Sequence, residues 1–255
     1  MRPSVPVLLS FNGGYVDTAG FLAIQGLFTA HVTGNFVTIG AALVNGTSGV
    51  LTKLLALPVF CIVVLLTRLA SFHRSRRSWT SLEMLLALKV SLLIAAAVMT
   101  ILWGPFTDGD SGLAMITGMT LVSAMAIQNA VHRIHLAASP PSTLMTGTTT
   151  QAMMDLADLL RGLDPQARAA TVARIRSLSK AIASFALGAA SCALLYHWVT
   201  TWNFALPPLV ALMALFAGGS PKRARADEYG PTRAAAPYGL SSIDPFDGTS
   251  YRLLY

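Results

Sequence analysis

The sequence predicts an all-α, polytopic membrane protein: six transmembrane helices arranged as an inverted 3+3 repeat with two short re-entrant helices. Three observations predict it. The 255 residues are 54% hydrophobic and only 11% charged, against roughly 25% in ordinary soluble domains. Several apolar runs reach the roughly 20 residues that cross a bilayer as a helix. The same polar motif, flanked by the same order of segments, occurs once in each half of the chain.

The first span covers about 5–28; Asn12, Gly13, Gly14 and Asp17 interrupt its apolar pattern, and no clean cleavage site marks it as a signal peptide. A short segment around Thr33-Gly34-Asn35 follows, helical over Phe36–Val44 and too short to cross. Spans at about 51–72 and 82–103 complete the first repeat, about 5–103, with the basic loop His73–Arg77 between them. The second repeat, about 112–219, opens with a span at 112–131. It continues through a second short helical pattern, Gln151–Leu160, after Thr146-Gly147-Thr148. A basic stretch leads into spans at 178–199 and 204–219. Together 1–219 form the transmembrane domain. Residues 220–255, rich in Pro, Gly, Ser and mixed charge, read as a disordered cytoplasmic tail.

Charge sets the orientation. With both short segments returning to the side they entered from, all but Lys53 and Lys89 of the 18 Lys and Arg residues lie on one side, which the positive-inside rule makes the cytoplasm. Lys89 reads as snorkelling inward. Both termini are then cytoplasmic. The net charge of +7 is explained by topology, and no aromatic-interleaved basic surface calls for nucleic acid.

Asp17 precedes Thr33-Gly34-Asn35, and at almost the same spacing Gln128-Asn129 precedes Thr146-Gly147-Thr148. Threonine followed by glycine is suited to an N-cap and the start of a helix. Inverted repeats with broken helices place binding sites near the bilayer midplane. Helix N-termini meeting there present free N–H groups and positive dipole ends. The candidate binding residues are therefore Asp17, Thr33, Gly34, Asn35, Gln128, Asn129, Thr146, Gly147 and Thr148, around a small polar or anionic solute. The competing structural readings are that Asp17 caps broken backbone and that the TG steps are close-packing points. His31, His132 and His135 read as interfacial or loop residues, and Asp155 and Asp158 as a solvated helix face. No phosphate loop, metalloprotease motif or nucleophile elbow occurs, so no enzymatic activity, cofactor or metal is expected.

On GGYVDTAGFLAIQGLFTAHVTGN (Gly13–Asn35), AIQNAVHRIHL and TLMTGTTT (Ala126–Thr150), the chain resembles the YoaK family (DUF1275) of bacterial multi-pass membrane proteins of unknown function. The resemblance spans about 5–219 and implies six spans in the bacterial inner membrane, with no activity to carry over. The function expected is a small-solute transporter or channel. The alternative is a non-transporting membrane subunit or scaffold that binds a protein partner through its tail or lipid-facing surface. A homo-oligomer is compatible with either.

Overall fold

The computed structural model describes residues 4–73 and 81–218, and among these there is no strand. The basic loop after His73 and the tail from 220 onward, together with the partner-binding role considered for it, lie outside the described residues. Among the described residues eight α-helices follow in order: α1 (Val5–Ala23), α2 (Asn35–Asn45), α3 (Val50–His73), α4 (Ser81–Trp103), α5 (Gly112–His135), α6 (Met145–Arg161), α7 (Pro165–Val199) and α8 (Leu206–Gly218). Single 3-10 turns precede α2 and α8. Helical runs long and apolar enough to cross a membrane are Val50–Ser71, Leu82–Trp103, Gly112–His135 and Pro165–Gly218, the last containing the turn between α7 and α8.

α1 is largely enclosed by the rest of the fold, although polar groups interrupt its apolar pattern. α1 packs most extensively on α7 and also touches α8 and α5. Ser10, Asn12 and Asp17 are buried with Leu9, Tyr15 and Val16. Burial in protein rather than lipid lets α1 carry them, because each finds a partner. Asn12 Nδ2 donates to the Pro207 carbonyl at 2.7 Å, and the Tyr15 hydroxyl donates to the Asn203 carbonyl at 3.0 Å. Glycine sets the depth of the α1–α7 contact. A Cβ on Gly14 would land on the Phe185 carbonyl, and one on Gly188 on the Phe11 carbonyl, so the two backbones touch.

α5 lies against α3 and α4, α4 against α8, α2 against α3, and α6 against α7. Large apolar side chains face outward along the long helices, among them Leu65 and Leu66 on α3, Leu102 on α4 and Leu194 on α7. So much exposed apolar surface is what a lipid-facing belt requires. At one end the turns are tied together. Asp110 accepts from the backbone N–H groups of Gly49 and Thr52, both at 2.9 Å, and Gln25 Nε2 donates to the Phe106 carbonyl at 3.1 Å.

Several boundaries differ from expectation. α1 stops at Ala23, where Gln25 and Gly26 turn the chain with φ of 45° and 82°. α7 starts at Pro165, well before 178, and absorbs the basic stretch into one helix of 35 residues. Asp164 caps it, accepting from the N–H groups of Gln166 and Ala167 at 3.0 Å, with Pro165 in the first turn. The α6–α7 hairpin is clamped by Asp155, which is fully buried and takes Nε and an η nitrogen of Arg174, each at 2.6 Å. Asp155 is therefore an interhelical anchor and not a solvated face. α8 contains only 13 residues, because a 3-10 turn takes 200–205.

Candidate functional site

After α1 the chain folds back alongside it before α2 begins, and that returning segment has no helix to satisfy its N–H groups. Asp17 supplies the missing acceptor. Its Oδ1 takes the backbone N–H of Thr29 and of Ala30, both at 2.8 Å, while Oδ2 lies 2.6 Å from His31 Nδ1. Asn35 closes the other side: its Oδ1 accepts from Phe28 N–H and its Nδ2 donates to the Phe28 carbonyl, each at 2.8 Å. Both residues are buried and engaged with the loop. Thr33 stays exposed and Gly34 half-buried. Neither TG threonine is an N-cap. Gly34 occupies that position before α2 and Leu144 before α6, with no side-chain cap at either. The cap expectation fails because the loop backbone is fastened from within by Asp17 and Asn35.

The second half fastens its loop in a related way. Asn129 Oδ1 accepts from the Thr143 hydroxyl at 2.8 Å, and Asn129 Nδ2 donates to the Met125 carbonyl at 2.9 Å. Gln128 is fully buried; its Nε2 donates to the Leu9 carbonyl at 2.9 Å and to Ser142 Oγ at 3.0 Å. Thr148 is buried and bonds back to the Leu144 carbonyl at 2.9 Å. Thr146 and Gly147 are exposed, and Thr146 lies on a separate groove along α6 with Met153 and Met154.

The two loops meet at His31. Its ring bonds Asp17 from the first half and lies against the backbone of Thr143 from the second. A chain of contacts thus runs Asp17–His31–Thr143–Asn129. Beside it lies a cavity of about 430 Å3 whose polar lining comprises His31, Thr33, Arg68, Asn129 and Arg133. Phe60 and Val64 of α3, Ala130 and Ile134 of α5, and Leu144 before α6 supply apolar walls. A second cavity, about 530 Å3, is lined by Asp17, Gly34, His31 and the rings of Phe21, Phe28 and Phe185. His31 borders both.

Of the sequence candidates, Thr33 and Asn129 line one cavity and Asp17 and Gly34 its neighbour. Asn35, Gln128 and Thr148 brace backbone, while Thr146 and Gly147 face outward. His31, expected as an interfacial or loop residue, does lie in a loop but reaches both loops at once, and Arg68 and Arg133, whose charge topology alone accounted for, line the cavity with it. Lys89 does not snorkel. That side chain is fully buried in α4, donating to Gln128 Oε1 at 2.5 Å and Asn12 Oδ1 at 3.2 Å. The signal available was a lysine two turns inside an apolar span, since an intramembrane ionisable group is expected to have a partner. Among the described residues no three His, Cys, Asp or Glu side chains gather to hold a metal ion.

No curated protein and no solved structure matches the chain. Residues 5–218, which include every helix and both loops described above, match a family described as "Protein of unknown function (DUF1275)". The chain belongs to that family, and its long apolar helices are those of a membrane protein.

Proposed function

We propose that this protein is a small-solute transporter or channel of the cytoplasmic membrane, with the solute path running through the cavity beside His31. The observation that carries the reading is the polar cavity itself. It sits among helices with outward-facing apolar side chains, and residues from both loop segments, Thr33 and Asn129, line it. Irregular backbone at membrane depth is tolerated where it is buried in protein or lines a wet cavity, and both loops meet that description here.

The pattern of helix packing supports the inverted repeat. Exchanging α1, α2, α3 and α4 for α5, α6, α7 and α8 turns the α1–α7 contact into α5–α3. The same exchange turns α2–α3 into α6–α7 and α4–α5 into α8–α1, while α4–α8 maps onto itself. In this reading α1, α3, α4, α5, α7 and α8 cross the membrane. α2 and α6 begin near mid-depth and climb back to opposite faces, with both termini cytoplasmic. Asp17 and Asn129 hold corresponding loops, each through residues 12–14 positions further along the chain.

The test is flux in liposomes containing the purified protein, with inorganic anions, organic acids, polyols and amines as solutes. At least one solute should move faster than in protein-free liposomes. Thr33→Val combined with Asn129→Leu should abolish that flux while insertion is retained. No protein-dependent movement of any solute would overturn the proposal.

A further inference from the structure

We propose that Lys89 is a proton-binding site at the crossing of α1, α4 and α5, and that its proton sets the position of the second loop at the cavity wall. The inference deepens the solute-path reading and rests on it for what the proton does, which is to couple solute movement to protons.

A fully buried lysine is ordinarily paired with an acid. Among the described residues the ion pairs are His31–Asp17 and Arg174–Asp155, and Lys89 belongs to neither. Its amine meets two neutral oxygens instead, Gln128 Oε1 at 2.5 Å and Asn12 Oδ1 at 3.2 Å. Both amides are oriented from their far sides. Asn12 Nδ2 donates to the Pro207 carbonyl at 2.7 Å, and Gln128 Nε2 donates to the Leu9 carbonyl at 2.9 Å and to Ser142 Oγ at 3.0 Å. Each amide therefore turns its oxygen, and not its nitrogen, toward Lys89. Two acceptors match the two N–H donors of an uncharged amine and leave its lone pair open. An ammonium brings a third donor, and the groups around it must regroup to meet that proton. The site thus has two hydrogen-bonding states one proton apart, which is what a proton carrier inside a membrane requires.

Titratable groups occur on the elements around Lys89, but among the described residues none bonds its amine. α1 carries Tyr15 and Asp17, α5 carries His132, Arg133 and His135, and α4 itself carries Glu83; α8 and the 3-10 turn before it carry none. The Tyr15 hydroxyl is engaged with the Asn203 carbonyl and Asp17 with the first loop. His132 is buried one turn beyond Gln128 on α5.

The contacts of Lys89 lead to the cavity. Gln128 holds Ser142, and the next residue, Thr143, gives its hydroxyl to Asn129 Oδ1 at 2.8 Å. Asn129 and Leu144 line the cavity on either side of that bond. A third N–H on Lys89 changes the demand on the Gln128 oxygen and so the seat of Ser142. Because the amine is enclosed, water reaches it only when α4 parts from α1 or α5. A proton that binds one arrangement better than the other shifts the protein toward it.

The experiment is NMR of the full chain in detergent micelles, carrying 13Cε-lysine and 15N labels. The chain has four lysines, Lys53, Lys89, Lys180 and Lys222. Substituting each of the other three by arginine in turn assigns the Lys89 signal by elimination. As pH is raised, that signal should shift once, over a range in which the exposed Lys180 keeps its charge. The backbone amides of Ser142 and Thr143 should shift with the same midpoint. Lys89→Met should lose the amide shifts, whereas shifts that report His31 or His132 would survive it. A Lys89 signal that moves no earlier than that of Lys180, or loop amides that do not follow it, would overturn the inference. Both readouts come from the native chain, so they stand even where Lys89→Met fails to fold. Liposome flux separates the two readings. A titrating Lys89 whose loop follows, in a protein that moves no solute, removes the solute path and keeps the proton site; flux with a silent Lys89 removes this inference alone.

Discussion

Replacing Asp17 tests the loop clamp, because alanine and asparagine remove different parts of it. Asp17→Ala takes the acceptor from the Thr29 and Ala30 N–H groups, in a region where Thr29 is fully buried and Ala30 nearly so. A buried donor left without a partner costs about 1–3 kcal/mol, and a hydrogen bond to a charged group contributes about 1.5–3 kcal/mol. Two stranded N–H groups and the lost His31 contact therefore sum to about 3.5–9 kcal/mol. Asp17→Asn retains a carbonyl at the Oδ1 position and so both backbone bonds, in weaker neutral form, for a loss of about 1–3 kcal/mol. The alanine variant should thus be less stable than the asparagine variant by about 2 kcal/mol or more. The assay is unfolding by SDS titration in mixed micelles, with hydrogen exchange read at the Thr29 and Ala30 amides. Equal stabilities for the two variants, or unchanged exchange at those amides in Asp17→Ala, would refute the clamp.

Two further outcomes are expected. Gly188→Val should destabilise the fold by about 1–3 kcal/mol or more, since even its Cβ would land on the Phe11 carbonyl, whereas Gly147→Ala, with open space around it, should stabilise α6 by about 0.5–1 kcal/mol; thermal melts of both variants check the contrast. Burial raises the pKa of Asp110, but the N–H groups of Thr52 and Gly49 outweigh it and hold the carboxyl below its usual value. The stabilisation from a depressed folded-state pKa is present above the unfolded value of about 3.9 and is lost as pH falls through the folded value. Melting temperature should therefore drop as pH is lowered below about 4, and Asp110→Asn should flatten part of that slope.

Helix existence was readable wherever one property decided it. Long apolar runs gave α3, α4 and α5 to within a few residues of their ends. The amphipathic patterns after both TG steps became α2 and α6, each somewhat longer than expected. The start of α7 was written in Asp164-Pro165, a capping residue followed by a first-turn proline, but the arginines after it set that basic stretch apart from the span expected at 178–199. Tertiary partners decided the rest. A carboxylate in an apolar run announces that it has a use, and nothing local says that its oxygens face the amides of Thr29 and Ala30. Arg68 and Arg133 carried a topological explanation sufficient in itself, so their common position over one cavity became visible only when α3 and α5 were placed side by side. Lys89 was hidden in the same way, since its partners Asn12 and Gln128 come from two other helices.

Backbones in contact at Gly14 and Gly188 are keyed against sliding. For α1 to shift along α7, a carbonyl of each helix would have to ride over a Cα of the other, against a neighbouring side chain such as Phe11, Tyr15 or Phe185. The two helices therefore travel as one rigid rod, and α6, pinned to α7 through Asp155 and Arg174, is carried with them. Compliance has to lie in the looser seams around that rod. His31 sits at one such seam, fastened to the rod through Asp17 and lying against Thr143, which Asn129 of α5 holds, so a small rotation between the rod and α5 would be felt there first.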